Sequence, residues 1–213
     1  LPWNATSEWG GIVLMGRAPV NATGGVSTFE AIPEGDPEEY KTFGGTDPED
    51  NSGILTDVSI RHGGAEWATD EELNGLSLAG VGRGTKISHV EVFASSDDGF
   101  EWWGGTVNAD HLVAGFCSDE SFDLDEGNTS KLQFLFAIRN GVGQHIGEHD
   151  GAPGDTPGNE PFAYTQVYNA TYLSGGPTGD ADKSMFRLRE NWGGYYKNCI
   201  FGEYNGSAVR IDD

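Results

Sequence analysis

Apolar and polar residues alternate in short stretches of this chain, and one such stretch occurs twice between residues 95 and 127. The sequence DDGFEWWGG at 97–105 matches DESFDLDEG at 119–127, so the repeat is 22 residues long. Its Val, Phe, Ile and Trp residues favour strands, and alternate residues of a strand point to opposite faces. A short fixed period is typical of a solenoid, in which each turn buries its apolar face against the next. The pattern predicts an all-β fold, a parallel β-helix with about 22 residues per coil.

Stacking places equivalent side chains in columns on the outside of such a helix, about 4.8 Å apart. The 22-residue period predicts an outward column of Glu101, Asp123 and His145, with Trp103 exposed beside it. Further acidic columns are predicted from these pairs: Asp97 with Asp119, and Asp98 with Glu120.

Carboxylates stacked this closely repel each other by roughly 3–4 kcal/mol at an effective dielectric near 20. Solvent, raised pKa values, a basic neighbour or a bound cation would offset the repulsion. So many hard oxygen ligands suit Ca²⁺. The candidate calcium ligands are Asp97, Asp98, Asp119, Glu120, Asp123 and Asp125. The alternative is that the same side chains accept backbone N–H groups at coil corners.

A polysaccharide-active site is the alternative function for this face. A glycoside hydrolase needs two carboxylates about 5–10 Å apart, which Glu101 and Asp123 could supply, with Trp103 as a carbohydrate-binding platform. A lyase needs a base beside a cation, and the basic candidates are Lys131, Arg139, Arg187 and Arg189. The last two alternate with apolar residues and are therefore expected to point outward. The plainer interpretation is that both arginines pair with the acidic columns. The face could also bind carbohydrate without turnover.

The charge of the chain limits its partners. It has 12 basic and 34 acidic residues, a net charge of −22, which excludes nucleic acid and anionic membranes as expected partners. The chain contains no run of 18 apolar residues, so membrane insertion is not predicted.

The histidines at 62, 89 and 111 lack the spacing that is typical of a zinc site. Cys117 and Cys199 are about three coils, or roughly 14 Å, apart, which predicts two separate thiols.

Acceptor motifs for N-glycosylation are more frequent than the composition predicts. They begin at Asn4, Asn21, Asn128, Asn169 and Asn205. Their number indicates a secreted glycoprotein of eukaryotic origin, in which these asparagines are exposed and most carry glycans.

The chain is predicted to form one β-helix domain over residues 1–213, with long loops near 21–52 and 147–161. The second loop contains Glu148 and Asp150, which are expected to be solvated. No capping segment is apparent, so the chain is expected to be a fragment of a longer β-helix that docks on further coils.

Several motifs resemble a group of secreted right-handed parallel β-helix proteins found in marine and surface-attached bacteria and in some algae. The motifs are EWGGIVLMGRAPVN, GGTDPEDNSG, NGLSLAGVGRGT, DDGFEWWGGTVN and DESFDLDEG. The resemblance implies a right-handed helix, secretion, and adhesion or carbohydrate contact, and supplies no catalytic residues. Together these features predict an extracellular structural or adhesive glycoprotein, stabilised by Ca²⁺. Its expected partners are other extracellular or cell-surface proteins.

Overall fold

Parallel strands dominate the computed structural model of the chain, which describes residues 1–32, 37–68, 72–141, 143–154, 156–176 and 183–212. A short 3₁₀ turn lies at Glu38–Tyr40. Residues 33–36 and 155 of the two predicted loops lie outside the described residues.

Seven parallel strands form the first sheet, sheet 1, and lie side by side in chain order. They are β1 (Ile12–Met15), β5 (Leu76–Ala79), β7 (Phe100–Trp103), β9 (Phe122–Asp125), β11 (Gly147–Asp150), β14 (Ser184–Arg189) and β17 (Ser207–Ile211).

Sheet 2 is also parallel and consists of strands that alternate along the chain with those of sheet 1. They are β4 (Ile54–Arg61), β6 (Lys86–Phe93), β8 (Ala109–Gly115), β10 (Lys131–Ile138), β12 (Tyr164–Tyr168), β13 (Thr171–Leu173), β15 (Gly193–Lys197) and β16 (Ile200–Gly202). This alternation between two stacked sheets confirms the predicted parallel β-helix.

The 22-residue spacing is correct for β7 and β9, the two strands from whose repeats it was derived. Glu101 lies opposite Asp123, and Phe100 opposite Phe122. The next step is longer, since Asp123 lies opposite Glu148, 25 positions later. The prediction that His145 continues this column is therefore wrong, because three extra residues lie between β9 and β11, one before β10 and two after it. His145 is buried, and its Nδ1 lies 2.7 Å from the carbonyl oxygen of Ser184.

The core lies inside the coils and consists of stacked apolar columns. Phe100, Trp102, Phe122 and Leu124 are all buried, as the alternation predicts. The rings of Phe100 and Phe122 stack with centroids 5.3 Å apart, and Phe122 stacks in turn on Tyr172 at 5.4 Å. Each coil therefore supports its neighbours through aromatic contacts as well as through the strand ladders.

Residues 16–53, which we call the covering loop, join β1 to β4, and the described part of this loop packs against the outside of sheet 1. The loop contains a small antiparallel pair, β2 (Ser27–Thr28) with β3 (Thr42–Phe43). Asn21 fastens the loop to distant segments: its N–H donates to Glu126 O at 3.0 Å, and its Nδ2 donates to Gly151 O at 2.6 Å.

The predicted loop at 147–161 is wrong over its first four residues, which form the central strand β11. The sequence GEHD has little intrinsic strand preference, but β9 and β14 pair with it on both sides. Here the tertiary context overrides local propensity. Glu148 is consequently buried rather than solvated.

The two cysteines are free and separate, as predicted, and they differ in accessibility. Cys117 is buried, and burial raises the pKa of its thiol to about 11, whereas Cys199 is partly exposed. Since the thiolate is the reactive form, we expect an alkylating reagent to modify Cys199 in the native protein and to spare Cys117 until unfolding. Peptide mapping by mass spectrometry checks this. Equal native labelling of both cysteines, or native labelling of a Cys199→Ser variant, would contradict it.

Candidate functional site

Charged side chains form two columns on the outer face of sheet 1. The first column consists of Glu101, Asp123, Glu148, Arg187 and Arg210. The second consists of Trp103, Asp125, Asp150 and Arg189. In both columns acidic residues occupy the earlier coils and arginines the later ones, so the face has an acidic end and a basic end.

The arginines neutralise the acids nearest to them. Glu148 bridges both, with Oε2 3.2 Å from Arg187 Nη1 and Oε1 2.6 Å from Arg189 Nη2. Arg189 also bonds Asp150, and Arg187 Nε lies 2.8 Å from Asp212 Oδ2. Partial burial lowers the pKa of each guanidinium, but these bonds outweigh it and raise the pKa above its ordinary range. A proton-abstracting role for Arg187 or Arg189 is therefore poorly supported, and the pairing interpretation fits.

At the acidic end the buried Arg139 lies near Glu120 and Asp98. In the part of the chain that the structure describes, however, no lysine or arginine forms an ion pair with Glu101, Asp123 or Asp125. Glu101 is only 8% exposed and accepts hydrogen bonds from two uncharged donors, Asn74 Nδ2 and Trp103 Nε1.

Carboxylate oxygens converge there in two sets that share Asp123. One set is Glu101, Asp123 and Asp125, and the other is Asp98, Glu120 and Asp123; within each set one oxygen per residue lies within 4.8 Å of the others. We call these five residues the acidic cluster. It includes four of the six predicted calcium ligands and adds Glu101.

The other two predicted ligands, Asp97 and Asp119, belong to neither set. Asp119 lies close enough to raise the pKa of Asp97, which burial chiefly raises to about 7.

Burial and mutual repulsion both raise the pKa values of carboxyl groups in the acidic cluster. Burial is the largest cause that raises the pKa of Glu101, and the charge on Asp125 adds to it. The same two causes raise the pKa of Asp123, and for Asp125 the charge on Asp150 follows burial. Buried carboxyl groups of this kind either hold protons at neutral pH or share a cation.

Three carboxylates per set, with one shared, match the oxygen ligands that Ca²⁺ prefers. Asp98 also shows that capping occurs, because its Oδ1 accepts the N–H of Glu120 at 2.8 Å. A carboxylate has about four acceptor positions, so capping by Asp98 is compatible with cation binding by the same cluster.

The covering loop closes over this face, and the expectation that Trp103 is exposed is wrong. Its ring is 8% exposed and contacts Phe29 and Phe43, with centroids 4.3 and 5.8 Å away. The excursion after β1 returns two aromatic residues to sheet 1, which periodicity could not reveal. Trp103 is therefore not available as a sugar platform, and the loop separates Glu101 from solvent.

Two glycosylation acceptors are also placed differently from the prediction. Asn21 and Asn128 are buried, and their amides make structural hydrogen bonds, Asn21 to Gly151 O and Asn128 to Gly104 O at 2.9 Å. Asparagine is common at such corners because its side chain bonds the backbone. The remaining acceptors are at least partly exposed: Asn4, Asn169 and Asn205.

Sequence reasoning missed Glu148 and Asp150 as members of the columns. A signal existed, since the spacing Asp123-x-Asp125 recurs as Glu148-x-Asp150 and then as Arg187-x-Arg189. Matching this alternation, rather than a fixed period, would have aligned the three strands.

An open cleft of about 620 Å³ adjoins the basic end. Leu188, Arg189, Asn191, Trp192 and Asp212 are among the residues that line it. The partly exposed side chains of Arg189 and Trp192 line this cleft, whereas the acidic end is covered.

Among the described residues no helix is long and apolar enough to cross a membrane.

Comparison with known proteins gives one match. A family model described as pectate-lyase-like beta-helix domain matches residues 3–213. No curated protein and no solved structure matches the chain. The narrower resemblance to marine bacterial and algal proteins stays a prediction. With nearly all of its length matched, the chain belongs to the pectate-lyase-like beta-helix domain family.

Proposed function

We propose that this protein is an extracellular β-helix scaffold stiffened by Ca²⁺ bound in the acidic cluster beneath the covering loop. The observation that carries the proposal is the burial of carboxyl groups in this cluster: Glu101, Asp98 and Glu120 are each less than 9% exposed. Among the described residues, no lysine or arginine pairs with Glu101, Asp123 or Asp125. A cation held there would offset the repulsion and join three neighbouring segments: β7, β9 and the corner at Asp98.

Each residue of the acidic cluster has a distinct role in this proposal. Asp123 belongs to both carboxylate sets and would be the shared ligand. Glu101 is held in place by Asn74 and Trp103, which orient its carboxylate toward Asp123. The covering loop excludes water and so strengthens the attraction between the carboxylates and a cation.

The geometry gives less support to hydrolysis at the same residues. A hydrolase needs a substrate between its two carboxyl groups, and Trp103 and the covering loop occupy that approach. For this reason the scaffold is preferred to an enzyme acting at Glu101 and Asp123.

Extracellular placement rests on the acceptor motifs at Asn4, Asn169 and Asn205 and on the need for abundant Ca²⁺. Calcium sites of extracellular modules have Kd values near 10⁻⁴–10⁻³ M, so millimolar calcium would fill them. Intact-mass analysis of the protein from its native source checks for glycans. Its expected partners are surface proteins or further β-helix coils, to which a rigid solenoid presents a regular face.

We expect Ca²⁺ to raise the melting temperature and a chelator to lower it. Ligand binding to the native state alone stabilises by RT ln(1 + [L]/Kd), about 1 kcal/mol at millimolar calcium and 2.7 kcal/mol at a hundredfold excess over Kd. For a domain of this size that is roughly 2–10 °C. Asp123→Asn should remove most of the difference, because Asp123 is common to both sets. Thermal melts with calcium and with chelator measure this.

The matched control is Asp57→Asn, an exposed aspartate on sheet 2, which should keep the full calcium effect. Identical melts with and without chelator would contradict calcium binding and favour backbone capping alone.

A second candidate is binding of an anionic polysaccharide in the open cleft at the basic end. The family description names pectate lyase, and pectate is a polyuronate, so a uronate carboxylate could compete with Glu148 and Asp150 for the partly exposed guanidinium of Arg189. Calorimetric titration with oligouronates tests this, with Arg189→Ala as the variant and Arg83→Ala, distant from the cleft, as the control. Release of unsaturated products would indicate lyase activity.

A further inference from the structure

A second group of polar side chains lies on the opposite sheet and takes no part in the proposed scaffold site. One residue in each of six coils of sheet 2 adopts a left-handed backbone, with φ between 53° and 59°. These residues are Asp57, His89, His111, Phe134, Asn169 and Asn198. Histidine, asparagine and aspartate tolerate this conformation better than most residues. The kink turns their side chains onto the outer face.

His89 and His111 stack directly on one another, one coil apart. Their ring centroids are 4.3 Å apart with an interplanar angle of 8°, and Phe134 packs on the far side of His111 at 4.7 Å. Strand pairing fixes this arrangement, because Ser88 lies opposite Asp110 and Val90 opposite Leu112. The rings are therefore held in register by the β-helix itself.

Asp110 completes the group. Its Oδ1 lies 2.6 Å from His111 Nδ1 and accepts the Ser88 hydroxyl at 2.5 Å. The same hydroxyl lies 2.8 Å from His89 Nδ1. One nitrogen of each histidine and one oxygen of Asp110 lie within 4.8 Å of each other.

This group is open to solvent, in contrast to the acidic cluster. The side chains of His111 and Asp110 are 46% and 47% exposed, and a shallow groove of about 470 Å³ runs beside them. A hydrated ion can therefore reach the nitrogens without any loop movement.

We propose that His89, His111 and Asp110 bind a divalent transition-metal ion, with Zn²⁺ as the reference case. Two imidazoles and one carboxylate are a ligand set that Zn²⁺ accepts at about 2.0–2.2 Å, with a further position left for water. Bonds of that length need ligand atoms closer than about 4.2 Å, and each nitrogen lone pair lies in its ring plane, so the exposed imidazoles turn out of their parallel stack to share an ion. Ser88 orients the carboxylate as an outer-shell partner.

Nitrogen ligands distinguish this site from the acidic cluster. Imidazole suits zinc, copper and nickel, whereas carboxylate-only sets suit calcium and magnesium. No zinc motif is apparent in the sequence because the two histidines are 22 positions apart. That spacing brings them together only because it equals the length of one coil. Loss of one site should leave the other intact.

Calorimetric titration of the full chain with Zn²⁺, in millimolar Ca²⁺ to occupy oxygen-only sites, tests the proposal. We expect one site per chain. His89→Asn, His111→Asn and Asp110→Asn should each weaken Zn²⁺ binding by at least about tenfold. Asparagine keeps the left-handed backbone at 89 and 111. The matched control, His62→Asn, replaces a histidine with φ of 62° that contacts Ala5 instead, and should bind Zn²⁺ as the wild type does.

A second measurement needs no variant. Histidine acylation of the wild-type protein, mapped by mass spectrometry, should show that Zn²⁺ protects His89 and His111 and leaves His62 unchanged. The proposal would be overturned if the wild type failed to bind Zn²⁺, or if His89→Asn and His111→Asn bound it as tightly as the wild type. Equal protection of all three histidines would overturn it as well.

Discussion

The calcium-free protein should melt at a higher temperature at about pH 5 than at about pH 8. Burial raises the pKa of Asp97 and Glu126 to about 7, and it raises the pKa values of the acidic cluster as well. Unfolding returns these groups to their ordinary values near 4, so between those limits the native state binds more protons than the unfolded state. Stability therefore increases as the pH falls through 7 and levels off near the unfolded values.

The expected effect is several kcal/mol. A carboxyl group with a pKa near 7 in the native state and 4 in the unfolded state adds roughly 2–3 kcal/mol between pH 8 and pH 5. Asp97 and Glu126 alone thus predict a large shift in a chelated sample. Calcium should reduce it, because a bound cation favours the ionised carboxylates. Below about pH 4 stability should fall again, as groups with lowered pKa values, such as Glu91 beside Arg61, take up protons.

Thermal melts across this pH range, with chelator present, measure the shift. Glu126→Gln should make the pH dependence shallower, since it removes one raised group and keeps an acceptor for Ser27. Glu91→Gln, at an exposed ion pair with Arg61, is the control and should leave the rise between pH 8 and pH 5 unchanged. A melting temperature that falls on acidification over this range would show that the buried carboxyl groups are not destabilising.

Replacing Phe122 by alanine should lower the free energy of unfolding by about 3–5 kcal/mol. Its ring is buried at the centre of the core and stacks on Phe100 in the preceding coil and on Tyr172. Truncation leaves a cavity between coils that strand pairing prevents from closing. For a domain of this size the melting temperature should fall by roughly 6–20 °C.

Phe162→Ala provides the comparison, because Phe162 is 50% exposed. We expect a change of less than about 1 kcal/mol there, as for most surface substitutions. Similar losses in both variants by chemical denaturation would mean that the stacked interior contributes little to stability.

The 22-residue repeat was sufficient to predict the fold and one correct strand register. Its two copies, at 97–105 and 119–127, are the adjacent coils with no insertion between their sheet 1 strands. Elsewhere the coils differ in length, so the fixed period placed His145 where Glu148 lies. Turn length is not constrained by the ladder, because an extra residue at a corner leaves the strand pairing intact.

The covering loop limited what could be predicted about the site. The outward positions of Glu101, Asp123 and Trp103 were correctly predicted, but an outward side chain is not exposed when a long excursion returns to the same face. Trp103, Asn21 and Asn128 are all buried for reasons that involve residues far away in the chain. Similarly, His89 and His111 could be paired only after the coil length was taken as the relevant spacing.

The fastening at Asn21 has a consequence for the order in which the chain assembles. Its three bonding partners, Glu126, Gly151 and Asn159, are more than 100 positions later, so a ribosome must add half of the protein before the loop can be secured. The contacts of the loop with Trp103 need only the earlier coils, so the bonds of Asn21 are expected to close last. If the acidic cluster binds a cation as proposed, the ion can enter before these last bonds form.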